Sequence, residues 1–420
     1  MAADYPVRPI TVAEFPAFHA VAEHAFNSAA PSEPSRQHEF ATFEADRSLA
    51  AFDQASMVAT ASAYSFTMAV PGALAEVAGV TAVAVLPSHR RRGILSGLMR
   101  RQLADLRDSG EAVAALFASE SGIYGRYGYG AASAQLRFTL RRGEAQLTRP
   151  QDAWPGAPAA QGVRLRIADA HQPRAELAAV FDAILPTRPG MHARDDRWWD
   201  SLLADPEHNR RGASPLRCVL AEDDTGPRGY ALYNVQPEWG DDGIPAGVLN
   251  VRELLADGPE AFTVLWGDLL TRDLVGEVRA RQRPVDDPLL HLLADRRRAR
   301  AQLTDGLWVR LVDVQRALSQ RRYACPVDLV IDVTDDLLTS NAGRWRLQAG
   351  GPASPACCER TTAPADVALP VQALGATYLG WTRLGALAAS GLAAEHRAGA
   401  LAGLSTALAW DPAPWCPTIF

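Results

Sequence analysis

Val80-Thr81-Ala82-Val83-Ala84-Val85-Leu86-Pro87-Ser88-His89-Arg90-Arg91-Arg92-Gly93-Ile94-Leu95-Ser96 decides the fold of this chain. The first six residues are small and β-branched, as in a buried strand. Pro87 ends that strand. From Ile94 to Leu106 the apolar positions Ile94, Leu95, Leu98, Met99 and Leu103 fall at helical spacing. A strand thus hands an Arg/Gly-rich loop to a helix N-terminus. The first helical N–H groups have no intrahelical partners and carry partial positive charge. Gly93 lets backbone approach an anion, and Arg91 and Arg92 add charge-assisted hydrogen bonds. The combination suits a pyrophosphate. A solvated basic helix start is the plainer alternative, and a nucleic-acid contact fits poorly with a net charge of -6.

Outward from this core, the segment reads as α/β. Thr11 is placed to cap a helix running to Phe26, and Ala30 to Arg36 reads as a loop. Residues 56–69 and 78–85 are adjacent strands around Pro71-Gly72, and Ala112–Phe117 is a buried strand. The segment closes near Thr148-Arg149-Pro150, and Pro155-Gly156-Ala157-Pro158 reads as a linker. Val163–Ile167 then opens a second α/β unit, with a helix at 174–184. A strand pair at 218–221 and 229–233, a strand at 247–251 and a helix from Pro259 follow. The order repeats that of the first unit, but the loop Leu254–Gly258 has no arginine cluster. A third segment starts near Trp308. It has strands at Asp328–Val333 and Arg344–Gln348 and helices at about 370–379 and 397–408. The apolar tail Trp415-Cys416-Pro417-Thr418-Ile419-Phe420 should prefer burial.

At 420 residues the chain has room for about three domains. No apolar run reaches membrane-span length and no leader pattern is evident, so a cytoplasmic protein is expected. The five cysteines form no metal-ligand spacing, so no metal is expected. Cys357-Cys358 reads as a loop pair or a redox pair.

Tyr124 lies in Tyr124-Gly125-Arg126-Tyr127-Gly128-Tyr129. A phenol, with an ordinary pKa of about 10, can protonate a departing thiolate. A core tyrosine is the plainer reading. Arg90-x-x-Gly93-x-Leu95 resembles the phosphate-binding motif of the GNAT acetyltransferases, apart from Leu95 where that superfamily has Gly or Ala. Tyr124 to Gly128 resembles its Y-x-x-x-G element. Val83 to Gly93, Ala118 to Gly130 and Asp305-Gly306-Leu307-Trp308-Val309-Arg310 together resemble the enhanced intracellular survival (Eis) acetyltransferase family. Asp287 to Leu293 and Tyr378-Leu379-Gly380 add to the likeness.

That resemblance implies an α/β (α+β) protein of two GNAT-like domains, the second degenerate, and a C-terminal sterol-carrier-protein-like domain. The boundaries would be 1–150, 160–300 and 305–420. It implies an acetyl-CoA-dependent N-acetyltransferase acting on primary amines such as aminoglycosides, polyamines or lysines, by direct transfer in a ternary complex. Acetyl-CoA would lie on Val83, Ala84 and Val85, on Arg91, Arg92, Gly93, Ile94, Leu95 and Ser96, and on Ser119 and Glu120. Tyr124 would be the acid and the α-carboxylate of Phe420 the base. Burial by the apolar tail would raise that carboxylate's pKa. A homohexamer, a trimer of dimers, is implied, with no nucleic acid and no membrane span. The absence of an acid beside Phe420 puts aminoglycosides in question, and Asp287 is a candidate for binding an ammonium. The alternative function is a non-catalytic lipid or acyl-CoA binder.

Overall fold

The computed structural model describes residues 5–28, 32–148 and 162–420, so the linker at Pro155–Pro158 lies outside the described residues. Two compact units emerge. The first comprises residues 1–133, 189–193 and 306–420, and the second comprises residues 134–188 and 194–305.

The first unit is built on a seven-stranded sheet of order β1-β2-β3-β4-β5-β14-β6. Its strands are β1 (Val7–Pro9), β2 (Leu49–Asp53), β3 (Ser56–Val70), β4 (Ala73–Val85), β5 (Val113–Phe117), β6 (Gly130–Ala131) and β14 (Leu307–Leu311). β3 and β4 form one long antiparallel hairpin across Pro71-Gly72, with Val70 opposite Ala73. The strand expected at Trp308 is therefore present, and it is hydrogen-bonded between β5 and β6.

Helix α1 (Phe15–Phe26) follows a short turn in which the Thr11 N–H and Oγ1 donate to the Glu14 carboxylate at 2.9 and 3.2 Å. Helix α2 (Glu33–Thr42) replaces the loop expected over Ala30–Arg36, insofar as those residues are described. Pro34 stands in its first turn, where no N–H is needed, and Ser32 caps it by accepting from the Ser35 N–H. Pro and Ser here start a helix. Helix α3 (Ile94–Asp108) and the one-turn helix α4 (Ser121–Tyr124) follow.

β5 shows why its sequence reads as one apolar run. Ala114 and Leu116 face α3, packing with Met99 and Leu103. Val113 and Ala115 face the opposite way, into a core shared with Leu329, Ile331 and Leu374. A strand buried on both faces loses its alternation.

That second core belongs to a five-stranded sheet of order β17-β16-β15-β18-β19. Its strands are β15 (Val327–Thr334), β16 (Gly343–Ala349), β17 (Ala356–Arg360), β18 (Val367–Pro370) and β19 (Ala394–Glu395). The expected helices appear as Val371–Thr377 and Ala400–Leu408, with a further helix, Leu384–Ala389, between them. Cys357 and Cys358 lie on strand β17, so the adjacent side chains face opposite sides and neither is disulfide-bonded. In the tail, Trp415 and Cys416 are buried as expected. Ile419, however, is 59% exposed, because the inward place is taken by the Phe420 ring.

The second unit carries a seven-stranded sheet of order β13-β7-β12-β11-β10-β9-β8. Its strands are β7 (Ala134–Arg141), β8 (Arg164–Asp169), β9 (Arg217–Asp223), β10 (Gly226–Gln236), β11 (Gly247–Ala256), β12 (Val275–Pro284) and β13 (Gln302–Asp305). The helix Pro259–Thr271 follows β11, as the sequence order implied.

Candidate active site

β4 and β5 run parallel and in register only from Val77–Gly79 against Val113–Ala115. Beyond Gly79 the two strands part, and the β4 edge from Val80 onward no longer meets β5. A β-bulge falls in this free stretch. Ala82 takes φ +49°, and Thr60 Oγ1 donates to the Ala82 carbonyl at 2.7 Å. Such a bulge re-aims the following backbone, and bulges gather beside active sites. Val83, the next residue, lines two cavities.

The larger cavity, about 680 Å³, follows the Arg/Gly loop onto the N-terminus of α3. Arg91 has φ +63° and Gly93, at the N-cap, φ +83°. Left-handed residues in a turn of this kind are a backbone setting in which anion nests form. The N–H groups of Ile94, Leu95 and Ser96 belong to the unpaired first turn, since the helical ladder begins with Gly97 donating to Gly93. These groups fit a pyrophosphate.

The expected cofactor contacts fall here with one difference. Val83, Ala84, Val85, Arg91, Gly93, Ile94, Leu95, Ser96, Ser119 and Glu120 all line this groove. Arg92 does not; its guanidinium donates to the Tyr5 hydroxyl at 2.8 Å. Arg90 and Arg126 line the groove instead. Arg90 also reaches the Ala25 carbonyl at 3.2 Å, which ties the loop to α1. Ser96 Oγ lies 3.2 Å from the Tyr127 hydroxyl, so Tyr127 belongs to the groove and Tyr124 to the neighbouring cavity.

That second cavity, about 290 Å³, is shared at Phe26, Val83 and Ser119 with the first. Tyr124 and Phe420 both line it. Tyr124 is only 5% exposed. Burial first, then the Glu120 carboxylate and Tyr127, pushes its pKa up to about 12. Its turn closes through Gly128 at φ +82°, where a Cβ would meet the Arg310 guanidinium at 2.8 Å. Arg310 is fully buried and holds both oxygens of Asp335 at 2.7 and 2.8 Å. Tyr129, behind Tyr124, is wholly buried, and desolvation raises its pKa further.

The Phe420 ring is seated edge-on against Phe66 (4.8 Å between centroids), Phe117 (5.4 Å) and His192 (5.9 Å). Phe15, Phe18, His19, Glu39 and Phe43 from the α1–α2 region line the far wall. Sequence reasoning missed them because an apolar helix face looks the same whether it meets a core or a cavity.

Asp287 does not serve as an ammonium site here. It is wholly buried, bonded to Arg283 at 2.7 Å, and accepts from the Leu289 N–H at 2.9 Å. It is a helix cap and a structural ion-pair partner.

In the second unit the corresponding opening is filled. β11 and β12 pair in parallel only from Gly247 to Val251. Past that point Arg283 donates to the Leu254 carbonyl at 2.7 Å. Glu253 is buried with Arg194 at 2.6 and 2.9 Å, and takes a hydrogen bond from the Tyr230 hydroxyl at 2.6 Å.

Known proteins are similar to this chain in sequence and in fold. Models of an acetyltransferase (GNAT) domain match residues 6–132 and again residues 190–311, and a sterol carrier protein domain matches residues 314–417. An uncharacterized N-acetyltransferase of Streptomyces avermitilis is 42% identical over 94% of each chain. The N-acetyltransferase Eis of Mycobacterium bovis is 36% identical, covering 77% of this chain and 76% of its own. The crystal structure of Eis1 from Mycobacterium abscessus superposes with a TM-score of 0.81 at 31% identity, over 99% of this chain and 100% of that one. A GCN5-related N-acetyltransferase from Anabaena variabilis, at 17% identity and a TM-score of 0.84, shares the fold. These matches favour the enzyme over the non-catalytic lipid or acyl-CoA binder. The chain belongs to the Eis family of GNAT N-acetyltransferases.

Proposed function

We propose that this enzyme transfers the acetyl group of acetyl-CoA directly to a primary amine, with Tyr124 as acid and the Phe420 carboxylate as base. One observation carries the reading. Tyr124 and Phe420 line one cavity, and that cavity meets the groove along the Arg/Gly loop at Val83 and Ser119. Thioester, acid and base would meet there.

The Arg91–Ser96 nest would hold the pyrophosphate, and the free edge of β4 would take the pantetheine arm. Open N–H groups on that edge would stabilise negative charge growing on the thioester oxygen. The incoming ammonium gives one proton to the Phe420 carboxylate, directly or through water, and the neutral amine forms the C–N bond. The C–S bond breaks and Tyr124 gives its proton to sulfur. The second amine proton returns to the phenolate. A phenol with a pKa of about 12 is a weak donor to a thiolate in water. Here the sulfur departs into the same cavity, whose lining is mostly apolar side chains, and partial desolvation raises the thiol's own pKa.

On this reading the catalytic unit spans the first GNAT domain and the sterol-carrier-like segment, which supplies the carboxylate. Hexamer formation is proposed from the family likeness alone. The test is the chain terminus. Deleting Phe420, or extending the chain beyond it by several residues, should lower amine-dependent thiol release at least 100-fold while acetyl-CoA still binds. An extended protein of full activity would refute the base assignment.

A further inference from the structure

A base serves only if its carboxylate is held within hydrogen-bond reach of the amine, and a displacement of about 1 Å can cost ~100-fold in rate. Terminal segments fray unless they are tied down. Ile419 is turned to solvent, so the Phe420 ring, not the side chain before it, fastens the end of the tail.

Part of that hold comes from far back in the sequence. Residues Pro189–Ala193 belong to the first unit. They run antiparallel beside β3, with His192 opposite Met68. The Gly190 N–H donates to the Ala69 carbonyl at 2.7 Å, and the Ala69 N–H donates to the Met191 carbonyl at 2.8 Å. The Ala193 N–H donates to the Thr67 carbonyl, also at 2.8 Å. At its start the segment meets the tail, where the Trp415 N–H donates to the Pro189 carbonyl at 2.8 Å. Gly190, at φ +94°, permits this approach, since a Cβ there would meet the Trp415 carbonyl oxygen at 3.1 Å.

His192 is the polar member of the Phe420 seat, and it is 1% exposed. Its Nδ1 lies 2.9 Å from the Ala193 carbonyl, which can only accept, so that nitrogen carries the proton and the ring orientation is fixed. The imidazole lies flat on Phe66, 4.0 Å between centroids and 19° between planes. It meets Phe420 at 85°, the edge-to-face arrangement that aromatic pairs favour. Phe66 in turn rests on Gly79, where a Cβ would overlap its ring. Gly79 is also the point at which β4 leaves β5. The stack of Gly79, Phe66, His192 and Phe420 thus ties the tail to the splay that opens the site.

We infer that His192 is a positioning residue for the proposed base: its ring, fixed by the Pro189–Ala193 segment, seats the Phe420 ring and so keeps the α-carboxylate at the cavity. The inference rests on the acetyl-transfer reading above and adds a residue to it.

Two variants separate the ring from its hydrogen bond. His192→Phe keeps a ring and loses the Nδ1–H; His192→Asn keeps a polar side chain and loses the ring. The full chain is assayed by amine-dependent thiol release. The hold on Phe420 is read separately, as the rate at which carboxypeptidase A frees phenylalanine from the folded protein. His192→Asn should lower kcat at least 10-fold, leave KM for acetyl-CoA within about twofold, and speed phenylalanine release at least 10-fold. His192→Phe should stay within about threefold of the parent in kcat and in release. Equal losses in both variants overturn the proposal, because the imidazole and not its ring shape would then be needed. A lower melting temperature with kcat and release unchanged is the result of a merely structural role and also overturns it; in both cases acetyl transfer stands. Faster release with kcat unchanged means that the Phe420 carboxylate is not the base, which overturns the reading above and this proposal with it. If His192→Asn does not fold, Phe420→Ala answers the same question, since it retains an α-carboxylate and removes only the ring. It should lower kcat at least 10-fold, and a kcat within about twofold of the parent would overturn the proposal.

Discussion

Tyr124 was legible through the likeness of Tyr124 to Gly128 to the Y-x-x-x-G element, and Gly128, four residues on, takes the left-handed turn that ends its short helix. Its surroundings were not. The sequence offers no sign that burial and Glu120 carry the phenol to about 12. The sign of that shift has a consequence for pH. A raised pKa widens the range over which the group keeps its proton, so Tyr124, as the proposed acid, would stay loaded through the alkaline range up to about 12. The kcat profile should therefore show no fall from loss of the acid between pH 7 and about pH 10, where an ordinary tyrosine would be half ionised. A midpoint near 10 that vanishes in Tyr124→Phe would contradict this. Tyr124→Phe itself should reduce kcat by roughly 10²–10⁴-fold. Its KM for acetyl-CoA should stay within about twofold, since the groove is built by other residues. The arginines show the opposite case. Arg90, Arg91 and Arg92 are alike in sequence, yet the left-handed turn at Arg91 sends Arg92 to Tyr5 and leaves Arg90 on the groove.

Among the elements, β4, α3 and β5 follow from apolar periodicity, and their splayed geometry follows from the ladder ending at Gly79. The place of β14 could not be read this way. An apolar strand pattern says that a strand is buried, not which sheet takes it. Yet β14 supplies Arg310, which sits behind the Tyr124 turn and is neutralised by Asp335 at the end of β15. Asn341 and the N–H groups of Leu337 and Leu338 also bind that carboxylate, at 3.0 to 3.1 Å. Removing the acid leaves a guanidinium buried without its counter-charge, which costs about 3–5 kcal/mol. Asp335→Ala should lower the melting temperature by about 10 °C in a unit of this size. It should also reduce kcat, because the turn bearing Tyr124 loses its backing. Thermal unfolding checks the first effect and steady-state kinetics the second; a melting point within 2 °C of the parent would show that Arg310 finds another partner.

At the scale of the whole molecule the repeat was visible as a repeated order of strands and helix, and the missing arginine cluster suggested that one copy had lost its cradle. The physical reason lies in contacts between residues 29 to 59 positions apart, beyond any local pattern. In the first unit the β4 edge is left open at Val80–Val85 and a groove follows it. In the second, Arg283 satisfies the Leu254 carbonyl, and Glu253 is taken up by Arg194 and Tyr230. A pantetheine arm there would have to displace a buried ion pair, whose disruption costs about 3–5 kcal/mol and would weaken binding by two orders of magnitude or more. The sequence expectation of a loop over Leu254–Gly258 is narrowed by β11, which runs to Ala256, and the short turn left before the helix, Asp257-Gly258, also lacks the cations that would attract a pyrophosphate. Isothermal titration with coenzyme A should accordingly give one site per chain, and Arg91→Ala together with Ser96→Ala should weaken that site without exposing another. A stoichiometry of two would mean that the second unit opens in solution and that its buried Arg194–Glu253 pair is displaceable by ligand.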